Sequence, residues 1–316
     1  MGLFLSNFIF LIGLLVGYLS LRLMFDSNIL SEHVFHSLRD AKNGAKYSAR
    51  HVHTDETKGT TLDSAQSLRI LCWIMTGPEY IESRTRHIRA TWAQRCDKVL
   101  YMSSVQTDFP TVGLNVSEGR DELHWKTIRA FQYIHQHHLD EANWFLKADD
   151  DMFVVVENLR YVLSRFDPEK PLYLGGRFKP VIKQGMSRGP GYVLSKEALR
   201  RFIRGFDMGK CTNFSDMEDT ALGKCLETMK VELADVKGKQ TLHAFPSNYE
   251  LVGQLPRSQL GFLLYEYYDP TEGPGCCTDL AVYFHYIDGE QMYVLDYLMY
   301  HLRPYGYKYR FNPHVN

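Results

Sequence analysis

The chain has almost no imbalance of charge: 36 Lys and Arg stand against 37 Asp and Glu, a formal net charge of −1. No long basic stripe breaks that balance, which argues against polynucleotide binding. It lacks an internal repeat, so a solenoid or propeller has no basis. None of its six cysteines forms a CxxC pair, so a zinc-ribbon pattern is missing as well. One stretch lacks charge altogether. From Leu3 to Leu21 ("LFLSNFIFLIGLLVGYLSL") there is no charged side chain, and Arg22 closes the run. Its length approaches the ~20 residues that span a bilayer core. The basic n-region and small-residue cleavage site of a secretory signal peptide are also missing. A single uncleaved signal anchor over residues 1–25 is therefore expected, ahead of a cleavable signal or a buried core helix.

Residues 26–66 are polar, rich in Ser, Thr, His and charge, with no sustained period. Such a segment buries too little apolar surface to fold and reads as a stem. His33, His36, His51 and His53 fall in it, where nothing fixes a metal geometry. The remainder, 67–316, supports a folded domain, the whole chain being 45% hydrophobic. All six cysteines (72, 96, 211, 225, 276, 277) lie beyond the stem. An even count there favours disulfides and a lumenal compartment. Asn115-Val116-Ser117 and Asn213-Phe214-Ser215 are glycosylation sequons compatible with it. The expectation is a type II membrane protein of the secretory pathway.

Within the folded part, "LRILCWIMTG" (68–77) reads as a buried strand ended by Gly77-Pro78. A helix is expected over 83–96, then the strand "KVLYMSS". Apolar residues at 123, 128, 131 and 134 mark a helical face. "WFLKADDD" is a third strand, "NLRYVLSRF" a helix, "PLYLGGRF" and "GPGYVLS" short strands. "KEALRRFIRGF" and "MEDTALGKCLETMK" are further helices. Alternation of this kind implies an α/β domain with a largely parallel sheet. Ligands of such sheets bind at the carboxyl ends of the strands.

Asp149, Asp150 and Asp151 lie at such an end, between the apolar Trp144-Phe145-Leu146 and Met152 to Val156. Three adjacent anions repel one another, so a cation must compensate them. Hard carboxylate oxygens suit Mg²⁺, Mn²⁺ or Ca²⁺. The first and third carboxylates of an extended triplet point to one side, and a nucleotide diphosphate would fill the open positions of a metal held there. An Asx-rich turn is the plainer reading. His285, after the apolar run "LAVYF", offers an imidazole ligand or is a core histidine. Glu218 and Asp219 open a helix, where carboxylates are favoured by capping and by the dipole. In a cleft, such an Asp is also a candidate general base.

These stretches, in this order, resemble the core 1 β1,3-galactosyltransferases, within the wider β1,3-glycosyltransferase family that includes fringe. The likeness runs through "RILCWIMTGP", "ATWAQRCDKVLYMSS", "EGRDELHWKTIRAFQYIH", "NWFLKADDD", "GYVLSKEAL", "EGPGCCTDLAVYFHY" and "YHLRPYGY". It covers about residues 67–312; anchor and stem match in architecture only. The resemblance implies a GT-A fold, α/β with a mostly parallel central sheet flanked by helices. It implies UDP-galactose as donor, Mn²⁺ as metal, and N-acetylgalactosamine α-linked to Ser or Thr of glycoproteins as acceptor. A Golgi membrane location and a homodimer are implied too. The metal ligands fall on Asp151, with Asp149 and His285, and the catalytic carboxylate on Asp219, with Glu218 next. Thr76, Gly77, Arg84, Arg89, Lys126, Asp150 and Tyr286 fall near the nucleotide-sugar site, and Trp92, Gly191 and Tyr192 near the acceptor. One departure is Arg188-Gly189-Pro190-Gly191, where the family often reads Gly-Gly-Ala-Gly; it bears on that loop's contacts. Two rival readings are a non-catalytic folding chaperone, a homologue lacking the intact acidic motif, and a fringe-like N-acetylglucosaminyltransferase. Whether a dedicated chaperone assists this chain is not written in its residues.

Three disulfides are expected. A strand-helix-return unit brings Cys72 and Cys96 together, and Cys211 and Cys225 flank the Asp219 segment. Adjacent Cys276 and Cys277 remain; a vicinal bond is strained, since neighbouring Cα atoms lie ~3.8 Å apart.

Overall fold

The computed structural model describes residues 68–178, 186–212, 217–234 and 280–306. The expected anchor and stem, Asn213, Cys276 and Cys277 lie outside the described residues. Among the described residues no helix is long and apolar enough to cross a membrane.

In chain order the elements are β1 (Ile70–Met75), α1 (Arg86–Ala90), β2 (Lys98–Ser103), β3 (Thr111–Gly113) and α2 (Leu123–His137). Then follow β4 (Trp144–Asp149), β5 (Phe153–Val154), α3 (Val156–Leu163), β6 (Leu172–Phe178), β7 (Met186–Ser195) and α4 (Lys196–Asp207). Last come α5 (Glu218–Thr228), β8 (Glu232–Leu233), β9 (Tyr283–Phe284) and α6 (Gly289–Tyr300).

Seven strands form one sheet in the order β3-β2-β1-β4-β7-β6-β8. The pairs β2–β3, β1–β2, β1–β4 and β6–β8 are parallel. β7 runs against both its neighbours, β4 and β6. The sheet is thus mostly parallel with one reversed strand, as expected in outline. β7 reverses because it follows β6 as the next strand of an antiparallel pair, where no crossover helix is needed. All six residues of β1 are buried. A strand covered on both faces reads as a continuous apolar run, as ILCWIM does.

Strand alternation divides the core in two. Ile70, Cys72, Ile74, Leu146, Ala148 and Val193 pack with α3 and with Ile88 and Trp92. Leu71, Trp73, Met75, Phe145, Tyr192 and Leu194 pack with α2, α4 and α5. The helix expected over 83–96 is broken. A π-helical turn over Ile81–Thr85 leads into α1, and a 3₁₀ turn over Trp92–Arg95 follows. The break falls at Thr91, at φ −118° and ψ −113°. Its Oγ1 donates to the His87 carbonyl one turn back at 2.8 Å, a bond known to bend helices. The bend sends Trp92 into the core.

α6 opens with a reciprocal capping box, Asp288 accepting from Gln291 N and the Gln291 side chain accepting from Asp288 N. Asp288 and Gln291, three residues apart, supply the two side chains that such a box needs. The Cys72–Cys96 and Cys211–Cys225 disulfides form as expected, with Cα separations of 6.1 and 5.1 Å. The second bond ties the segment after α4 to α5.

Candidate metal and catalytic site

β4 ends in the middle of the sheet, and its last residue, Asp149, begins the acidic triplet. The triplet divides by direction. Asp150 turns inward and is 6% exposed. It accepts from Thr76 Oγ1 at 2.9 Å and from the Arg84 guanidinium at 3.0 Å. Thr76 Oγ1 in turn shares a hydrogen with Thr85 Oγ1 at 2.6 Å. Burial pushes the Asp150 carboxyl up to about 6, against the pull of Arg84 and Thr76. Asp150 therefore holds the turn after β1 in place.

Asp149 and Asp151 share a different side with His285. Their ligand atoms and one imidazole nitrogen all lie within 4.8 Å of one another. Register brings this about. β5 pairs antiparallel with β9, Phe153 opposite Phe284, so His285 continues alongside the residues preceding β5. A hydrogen bond from Ile287 N to the Asp151 carbonyl, 2.9 Å, fastens the two segments. His285 Nε2 stands 3.3 Å from Asp151 Oδ1. Burial alone would raise the Asp151 carboxyl, but His285 and Arg84 hold it below the ordinary carboxylate value. Two carboxylates and an imidazole within this distance of one another fit a divalent cation.

The compensating cations are Arg84 and Lys147. Lys147 was not among the residues singled out from the sequence. It lies two residues before Asp149, on the same face of β4. Its ammonium donates to Asp149 Oδ1 at 2.6 Å and stands 3.9 Å from Glu218 Oε2, its side chain 3% exposed. Burial opposes its charge, yet Asp149 and Glu218 outweigh that and hold the lysine above its ordinary value. A lysine flanked by apolar residues inside a buried strand was the signal that could have revealed it.

The remaining expected residues divide between this centre and its supports. Glu218 Oε1 accepts from Thr127 Oγ1 at 2.8 Å and from the Tyr192 hydroxyl at 2.7 Å. Burial, then the Glu218 charge, pushes the Tyr192 phenol well above its usual range, so it remains a donor. Half-buried Asp219 accepts at Oδ1 from Thr220 N, 2.7 Å, and its charge also acts on Lys147. Tyr286 is exposed, at φ +58°, and stacks on His285 with centroids 3.6 Å apart. Lys126 is buried, donating to the Thr76 carbonyl at 3.0 Å and to Glu118 Oε2 at 2.7 Å. It braces the Thr76-Gly77 turn from below. Glu118, not expected from the sequence, packs so closely that a Cβ on Gly77 would come within 3.1 Å of its carboxylate.

The guanidinium of Arg89 lies over the Phe109 ring at 5.2 Å. Trp92 was expected near the acceptor, but it is fully buried and donates from Nε1 to the Met152 carbonyl at 2.8 Å. Tyr192 is fully buried too, so both stand beneath the site. Gly191 lies opposite Ala148, and a Cβ there would collide with Met152 and the Lys147 carbonyl.

A mostly parallel sheet flanked by helices, with this acidic group at the carboxyl end of its central strand, fits the GT-A-type α/β fold expected from the sequence. The chain belongs to the Fringe-like family, whose family model matches residues 65–261. It is 42% identical over 308 residues to Xenopus laevis glycoprotein-N-acetylgalactosamine 3-beta-galactosyltransferase 1, covering 95% of this chain and 85% of that protein. It is 26% identical over 211 residues to mouse chondroitin sulfate synthase 3, covering 59% of this chain and 24% of that protein. It is also 26% identical over 163 residues to mouse beta-1,3-glucosyltransferase, covering 50% and 33%.

Proposed function

We propose that this chain transfers galactose from UDP-galactose to the 3-hydroxyl of N-acetylgalactosamine α-linked to Ser or Thr, with inversion. The observation that carries the reading is the group Asp149, Asp151 and His285 beside the start of α5. The likeness to the Xenopus galactosyltransferase over 95% of the chain supports it. Asp149, Asp151 and His285 would hold Mn²⁺, which when bound supplies Lewis-acid neutralisation of the diphosphate's growing charge. Arg84 and Lys147 keep those carboxylates together against their mutual repulsion. Asp219 accepts the proton of the acceptor 3-hydroxyl as its oxygen attacks the anomeric carbon. The bond to the diphosphate oxygen breaks on the opposite face, and its electron pair leaves with UDP. One displacement gives a β-linked product without a covalent enzyme intermediate.

The intact acidic triplet supports an enzyme over a chaperone homologue. A Golgi-membrane type II topology belongs to the same reading, supported by the uncharged N-terminal run, the two disulfides and the exposed Asn115 sequon. So do a homodimer and assistance from a folding chaperone, both carried by the resemblance alone. The test is a donor screen with full-length protein in detergent and Mn²⁺. UDP-galactose, UDP-N-acetylglucosamine and UDP-glucose are each offered with an N-acetylgalactosaminyl peptide and a fucosyl acceptor. Galactose transfer to the peptide alone is expected. N-acetylglucosamine transfer to fucose would establish the fringe-like activity instead, and no transfer by folded protein would favour the chaperone.

A further inference from the structure

Glu218 opens α5 with both oxygens engaged. Oε1 accepts from two buried hydroxyls, Thr127 and Tyr192, and Oε2 faces the Lys147 ammonium. Lys147 spends its shortest contact on Asp149. A buried strand position would be served by an apolar side chain at no desolvation cost, and burying an ammonium between two carboxylates is expensive unless the geometry is held. Each end of this bridge lands on a working element: a metal-binding carboxylate at one end, the first residue of α5 at the other.

We infer that Lys147 is a positioning residue for the transfer reaction, joining Asp149 to Glu218 and so fixing where α5 presents Asp219 relative to the metal site. The inference rests on the proposed reading in taking Asp219 as the base. Glu218 is then the anchor of the helix start, since taking up a proton would sacrifice its pairing with Lys147. Asp219, one residue on, points about 100° further round the helix and is the base of the proposed reading. The bridge joins Lys147 to Asp149 two positions on and to Glu218 71 positions on (218 − 147), and Tyr192 and Thr127 hold Glu218 across 26 and 91 positions, so one short segment cannot shift without the others.

The test uses the full chain with Lys147→Met, which keeps length and removes charge. Amide exchange of the 217–226 segment is expected to quicken about tenfold, with α4 unchanged, because only the α5 start loses its anchor. In galactose transfer, kcat is expected to fall at least about tenfold while KM for UDP-galactose stays within about threefold, the split of an interaction that matters in the transition state. Wild-type exchange over 217–226 would overturn the inference. So would a loss confined to the donor KM, which would make Lys147 a support of the metal site alone. If Lys147→Met does not fold, Glu218→Gln probes the bridge from its other end, keeping the oxygen that accepts from Thr127 and Tyr192; wild-type kcat there overturns it equally. A wild-type chain that transfers no galactose defeats the proposed function, and the exchange measurement still judges the bridge.

Discussion

Replacing Trp92 by Phe separates two roles for this residue, a contact with the acceptor and a brace under the acidic loop. The indole is fully buried, and its N–H meets the carbonyl of Met152, the residue immediately after Asp151. Phe keeps an aromatic ring but deletes the donor. A buried carbonyl left without its partner costs about 1–3 kcal/mol. The smaller ring leaves a void of ~40 Å³, worth about 1 kcal/mol at ~24 cal/mol per Å³. The sum is about 2–4 kcal/mol, or a fall of about 4–16 °C in Tm for a domain of this size. Trp125→Phe is the control: this tryptophan is 44% exposed, and the change should stay within about 0.5 kcal/mol. Thermal melts of both variants, with initial-rate transfer to an N-acetylgalactosaminyl peptide, make the comparison. A brace lowers Tm and weakens Mn²⁺-dependent UDP binding, because the loop carrying Asp151 loosens. A wild-type Tm with a raised acceptor KM would refute the brace and restore the acceptor contact.

Asp219→Asn keeps the shape of the α5 start but cannot take the hydroxyl proton, so turnover should fall ~10²–10⁴-fold with UDP-galactose affinity nearly unchanged; near-normal turnover in folded protein removes Asp219 from the mechanism. His285→Ala and Asp151→Ala should each abolish most Mn²⁺-dependent UDP binding in calorimetry, and EDTA should silence the wild type; if His285→Ala binds UDP with Mn²⁺ as well as wild type, His285 is a core histidine. Glu118→Gln tests the brace under Gly77. Burial alone would raise the Glu118 carboxyl, but Lys126 and Ser104 hold it below the ordinary glutamate value. Its folded-state value is lowered, so its stabilisation is present above the unfolded value and lost as pH falls through the folded one. The variant should melt below wild type at pH 7, with the gap closing in acid; a gap independent of pH contradicts the ion pair.

Much of this architecture is written in short-range pattern. ILCWIM specifies a doubly covered strand because its apolar run has no polar side to expose. The apolar run before the acidic triplet marks where β4 ends, but Asp150 and Asp151 lie in the turn that follows, so that turn and not strand alternation puts Asp149 and Asp151 on one side. The pairing of Cys72 with Cys96 and of Cys211 with Cys225 followed from a return unit and a short loop. Other features depend on which elements meet, and no local pattern carries that. Trp92, Tyr192 and Lys126 have residue types that suit a binding surface as well as a buried brace. Burial decides between these roles, and it arises only when the elements around each residue pack. Thr127 meets Glu218 across 91 residues of chain. Thr76 and Arg84 meet Asp150 across 74 and 66. His285 reaches Asp151 because β9 happens to pair with β5. The candidate metal ligands and the candidate base were marked by the sequence itself, through residue type and position. The cation between them, the hydroxyls of Thr127 and Tyr192 on Glu218 and the inward turn of Asp150 were settled only by packing, because the energy of a buried charge depends on neighbours that the chain brings from far away.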